Sequence, residues 1–147
     1  MLDLHGAPGG QNTWDNSGMK DVIHWYDDTR NMDRTTAALN VLMREFNLPE
    51  WAGTVTSICI LNEPNPHLSK APAPLDFLKT FYGAAYSLIR DQSPATPAGG
   101  GIVVVLSEAY MGMEHWENFM PHPQFQRVAL DWVSGPQAKQ LCHSRGS

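Results

Sequence analysis

The carboxylate of Glu63 stands in Asn62-Glu63-Pro64, at the end of an apolar run over residues 55–61. A carboxyl group at the C-terminal lip of a buried strand is placed for proton transfer, because the ends of parallel strands open onto the cleft of a (β/α) barrel. Pro64 has no amide N–H and cannot continue a ladder, so the strand is expected to stop there with Glu63 facing the cleft. Asn62 can donate to a ligand hydroxyl or orient the acid. A second constellation is Asp3-Leu4-His5-Gly6-Ala7-Pro8-Gly9-Gly10-Gln11-Asn12, followed by Trp14-Asp15-Asn16-Ser17-Gly18. It takes a strand ending at His5 into a loop dense in Gly, Pro, Asn and Asp. A third is Ser107-Glu108-Ala109-Tyr110, after the apolar run 102–106, where Glu108 is the best internal candidate for a second carboxyl. Each has a plain alternative: a polar side chain that satisfies nearby backbone at a strand end.

The elements that must hold these residues alternate between strand and helix. Residues 2–4 read as a strand end, 54–61 as a strand, 102–106 as a Val-rich strand covered on both faces, and 127–133 as a fourth strand. Residues 33–48 carry Leu39, Leu42, Met43 and Phe46 at helical spacing, with Asp33 or Thr35 as the cap and Pro49 as the stop. Residues 74–90 form the next helix, with Leu75, Leu78, Phe81, Ala85 and Leu88 on one face and Pro74 in the first turn. A short helix is expected over 113–120. The alternation argues for an α/β fold with a parallel sheet and leaves an open sheet and a barrel as equals. The loop 6–10 lacks the G-x-G-x-x-G spacing, and Pro8 removes an amide donor, so nucleotide binding is disfavoured.

Asp-Leu-His-Gly-Ala-Pro-Gly, Gln-Asn and Asp-Asn-Ser-Gly, followed one strand–helix unit later by Leu-Asn-Glu-Pro, make the chain resemble glycoside hydrolase family 5. The likeness is to its fungal exo-β-1,3-glucanase branch. It runs from Met1 to about Asp131, with Gly10 where the family has Ser and Trp14 where an aromatic is common. The resemblance implies a partial (β/α)8 TIM barrel, with the four strands as its third to sixth. It also implies a retaining glycosidase that needs no cofactor, acting on a β-glucan or β-glucoside. Such enzymes use two carboxyl groups roughly 5–5.5 Å apart. By resemblance Glu63 is the proton donor, and its proton must persist near neutral pH through partial burial and a neighbouring negative charge. His5, Asn62, Glu108, Tyr110 and Trp116 are implied substrate contacts. Glu108 and Tyr110 stand where relatives have Asp and Phe, and core packing is an equal alternative for Trp116. Trp14 is read as cleft wall or loop anchor, and Asp131 as a supporting carboxylate. The family nucleophile is a Glu on a seventh strand, and no segment of this sequence resembles that strand.

A barrel of this kind needs about 250 residues. The chain has 147, so a fragment is expected: a partial barrel domain over 1–134 and an irregular tail over 135–147. Just before that tail, after Asp131, the His-x-Tyr pattern of the resembled family is replaced by Trp132-Val133-Ser134. The net charge of −5 without a basic run argues against nucleic acid, and no apolar stretch reaches membrane-spanning length. The two cysteines, Cys59 and Cys142, do not make a disulfide framework. His24, His67, His115, His122 and His143 lack metal-ligand spacing, so no metal is expected. No signal peptide is read at Met1, whereas intact relatives are extracellular or wall-bound. Open sheet edges are expected to promote self-association. Two readings stand: a truncated β-glucosidase-like domain without turnover of its own, and a non-catalytic glucan-binding or structural remnant.

Overall fold

The structure is a computed structural model that describes residues 1–96 and 99–132. Four strands, β1 (Leu2–Asp3), β2 (Ser57–Cys59), β3 (Val103–Ser107) and β4 (Val128–Asp131), lie in sequence order in one sheet. Each neighbouring pair is parallel. Helix α1 (Thr29–Phe46) connects β1 to β2, and α2 (Pro74–Gln92) connects β2 to β3. This is a four-stranded α/β assembly, a partial (β/α) barrel.

Apolar side chains of the strands and both helices meet in one core. Ile58, Val104 and Leu106 of the strands, with Ile60 and Leu61 just past β2, pack with Leu39 and Met43 of α1 and Leu78, Phe81, Tyr82 and Ile89 of α2. Burying side chains of this size stabilises by roughly 1.5–3 kcal/mol each, which is what holds the helices to the sheet. Trp25 is fully buried and meets Tyr26, Phe77 and Phe81 edge to face.

Helix α1 begins earlier than its apolar spacing suggests. The Asp28 side chain caps it by accepting from the Arg30 amide, and the Arg30 guanidinium closes back on the same carboxylate. Thr35, a candidate cap in sequence, is instead an interior residue of the helix. Its hydroxyl donates to the Asn31 carbonyl at 2.7 Å and accepts the Trp25 indole N–H at 2.9 Å. Residues 113–120 form only a 3-10 turn, Met113–His115, rather than a helix through 120. The Trp116 indole reaches back to the Glu108 carbonyl at 3.0 Å and holds the segment as a compact loop.

At the N-terminal end of the sheet Arg90 staples three segments. Its guanidinium donates to the carbonyls of Ser93, Ile102 and Arg127 at 2.8, 2.7 and 3.1 Å. The end of α2 and the starts of β3 and β4 are thereby set relative to one another. The tail 135–147, with Cys142 and His143, lies outside the described residues.

Candidate active site

The ends of β1 and β2 lie side by side because Leu2 pairs with Ile58 and Asp3 with Cys59. Ladder bonds continue past the strands: Leu4 N–H donates to the Cys59 carbonyl at 3.1 Å, and Asn62 N–H donates to the Leu4 carbonyl at 2.9 Å. This pairing brings the His5 and Asn62 side chains together, with His5 Nε2 3.4 Å from Asn62 Nδ2. The other ring nitrogen, Nδ1, lies 2.9 Å from Asp3 Oδ2, so Asp3 orients the imidazole.

Glu63 follows in a left-handed conformation, φ +44°, which costs a residue with a Cβ on the order of 1–3 kcal/mol. Ala109 and Tyr110, past β3, have φ values of +61° and +57°. Backbone of this kind persists where the surroundings over-determine it, and around Glu63 those surroundings are two carboxamides that spacing alone did not single out. Gln11 is fully buried. Its Oε1 accepts from the Ala7 amide, and its Nε2 donates to the carbonyls of His5 and Asn62, all at 3.0 Å. Asn12, also fully buried, donates to the Glu63 carbonyl at 2.9 Å. The available sequence signal was their adjacency, two amide side chains directly after Gly9-Gly10.

The Glu63 carboxyl is half-buried and meets donors on two sides. Asn16 Nδ2 is 3.3 Å from Oε2, and the Tyr110 hydroxyl hydrogen-bonds the same carboxyl. Burial, then the Glu63 charge and hydrogen bond, push the Tyr110 phenol well above its ordinary value, so it stays protonated and donates. Tyr110 also feels the Glu108 charge, which places both carboxyls near one phenol. Glu108 itself is 4% exposed; its amide donates to the Asp131 carbonyl, beside the end of β4.

Trp14 and Tyr110 meet edge to face with ring centroids 5.2 Å apart. With Asn65, His67 and Leu68 they line a hollow of about 420 Å³ beside Glu63. Asn65 is 7% exposed, and its Oδ1 has no hydrogen-bond partner among the described residues. Trp116 is placed differently. It is 6% exposed, packs against Tyr82 and Phe119, and offers no open ring face to the cleft. The core alternative describes its position here. His5, Asn62, Glu63, Tyr110 and Trp14 thus converge at the C-terminal end of the sheet, Glu108 lies beneath them, and Trp116 belongs to the core.

No protein-family model matches the chain. Curated relatives do match, among them three named glucan 1,3-beta-glucosidase. The one from Schwanniomyces occidentalis is 33% identical over 131 residues, which is 88% of this chain and 28% of that protein. The one from Lachancea kluyveri is 33% identical over 119 residues, 80% of this chain and 24% of the relative. The I/II enzyme of Saccharomyces cerevisiae is 33% identical over 121 residues, 81% of this chain and 25% of the relative. The chain is homologous to part of the fungal glucan 1,3-beta-glucosidases. It spans between a quarter and a third of the length of the first of these relatives, 28%. Among solved structures, that of AoRut superposes with a TM-score of 0.70 at 18% identity, covering 89% of this chain and 36% of that one. That likeness concerns the fold, and it agrees with the parallel order of β1 to β4.

Proposed function

We propose that residues 1–147 carry the acid side of a β-glucoside cleft, with Glu63 as the group that protonates the leaving oxygen. The observation that supports this most is the convergence at Glu63. A half-buried carboxyl is braced in left-handed backbone, approached by Asn16 and Tyr110, and bordered by a hollow lined with two aromatic rings. A carboxyl group fixed beside an aromatic-walled hollow can deliver a proton to an oxygen bound there. His5 and Asn62 are proposed to contact sugar hydroxyls, since their side chains meet at the adjoining ends of β1 and β2, next to Glu63 in the chain. The names of the relatives point to β-1,3-linked glucan as the substrate class.

Retention requires a second carboxylate roughly 5–5.5 Å from the first. The attacking group of the resembled family lies on a strand with no counterpart in this sequence, so residues 1–147 alone are proposed to bind but not turn over. Loss of an essential catalytic group costs several orders of magnitude in rate, about 10⁴-fold or more in protease triads. N-bromoacetyl-β-D-glucosylamine separates binding with a placed acid from turnover. A sugar seated in the cleft presents the bromoacetyl carbon to Glu63. The carboxylate oxygen then bonds that carbon, bromide leaves with the bonding pair, and an ester remains. Peptide mass mapping should find the ester on Glu63, Glu63→Gln should remove it, and laminaribiose should slow it. Release of nitrophenol from an aryl β-glucoside should stay at background. Failure to label Glu63 refutes the acid assignment, and turnover that Glu63→Gln abolishes refutes the proposed inactivity. In that event Glu108→Gln tests whether Glu108 acts as the second carboxylate.

A further inference from the structure

The Asn12 side chain is used at both ends. Its Nδ2 donates to the Glu63 carbonyl at 2.9 Å, and its Oδ1 accepts the Trp14 amide N–H at 2.9 Å. It is fully buried, so these two bonds are not exchanged with bulk water. A second tie lies one residue away, where the Asn65 amide donates to the Gln11 carbonyl at 2.9 Å. Together the ties grip the turn on both sides of Pro64 and offset the strain of Glu63 at φ +44°. Two residues beyond Trp14 the same loop returns, and Asn16 reaches the Glu63 carboxyl at 3.3 Å. One loop therefore holds Glu63 by main chain and side chain, and between those holds it carries the Trp14 ring onto Tyr110.

We propose that Asn12 is a positioning residue that sets the distance between the Glu63 carboxyl and the Trp14 ring. A group packed on Trp14 is thereby presented to the acid. This rests on the reading of Glu63 as the acid. Asn12 touches no substrate. It acts through the Glu63 backbone and the Trp14 amide, two points 51 and 2 residues away in the chain. Without the clip, the left-handed turn is free to relax and the carboxyl moves with it. A displacement of about 1 Å can cost about 100-fold in a step that depends on approach geometry.

The test uses the same bromoacetyl glucosylamine with saturation kinetics on the 147-residue protein, comparing wild type, Asn12→Ala and Asn12→Asp. The Asp variant keeps the acceptor for Trp14 and loses the donor to Glu63. The expected result is a fall of at least tenfold in the labelling rate at saturation in both variants, with the half-saturating concentration changed less than threefold. Arg90→Lys, at the other end of the sheet, controls for general loosening and should leave that rate within twofold. A saturating rate unchanged in the Asn12 variants, or lowered equally by Arg90→Lys, overturns the proposal. Wild-type protein that is not labelled refutes the acid assignment instead. The clip is then judged by NMR on the wild type, where a coupling across the hydrogen bond from Asn12 Nδ2 to the Glu63 carbonyl carbon is expected and its absence overturns the clip. This last measurement also decides the matter where a variant fails to fold.

Discussion

Truncating Gln11 to Ala should cost more stability than truncation of a partly buried amide elsewhere in the chain. Its carboxamide makes three hydrogen bonds of 3.0 Å, one from the buried Ala7 amide and two to the carbonyls of His5 and Asn62. A neutral hydrogen bond contributes about 1 kcal/mol net, and stranding a buried polar group adds about 1–3 kcal/mol. The two carbonyls are only partly buried and can take up water once the side chain is gone, so the stranding cost falls chiefly on Ala7. The sum is about 4–6 kcal/mol, a large share of the 5–15 kcal/mol that separates folded from unfolded domains. Urea unfolding followed by near-ultraviolet circular dichroism reads this directly. With a slope of roughly 2 kcal/mol per molar, the midpoint should fall by roughly 2–3 M. Gln92→Ala, which removes bonds to the Asn40 side chain and the Leu88 carbonyl on partly buried surface, is the comparison and should cost under about 1 kcal/mol. Equal midpoints for the two variants would refute the argument that Gln11 locks the β1 loop to the β2 end.

Three further outcomes follow from other parts of the fold. Burial first, then the Asp3 charge, pushes the Cys59 thiol from 9.0 to about 12. Its contribution is therefore fully present below pH 9 and lost as pH rises toward 12. Between pH 9 and 10 the wild type should lose about 1 kcal/mol more than Cys59→Ala in denaturant titrations, and parallel curves would contradict this. The window stops at 10 because the buried Tyr26 and Tyr82 hydroxyls, also raised by burial, add the same sign above it. Arg90→Lys cannot reach three carbonyls with one ammonium and should cost about 2 kcal/mol in urea unfolding; a loss below about 0.5 kcal/mol would show the staple to be dispensable. The outer edges of β1 and β4 have no strand beside them among the described residues. The 147-residue polypeptide should therefore self-associate with rising concentration in light scattering, and a monomer throughout would count against it.

Much of the frame was legible in the chain. The strand–helix alternation, the Val-rich third strand and the position of Glu63 just past a strand end all come from local patterns, because side-chain period and Pro placement are local properties. Two spaced motifs also made the relation to fungal glucanases readable without coordinates. The start of α1 was less legible, because the Asp28 cap lies ahead of the apolar stripe and Thr35 is committed to the Trp25 indole. Trp116 shows the limit more sharply. An aromatic after a strand end has the same local signature as a sugar platform or a core residue, and only its packing on Tyr82 and Phe119 decides between them. Gln11 and Asn12 were in plain view as residues, but their roles were not, since their partners Asn62 and Glu63 lie 51 residues further along. A carboxamide can serve any neighbouring donor or acceptor, and the register of β1 on β2 chose these. The chain by itself determined which carboxyl stands at the strand end; the pairing of parallel strands decided what holds it there.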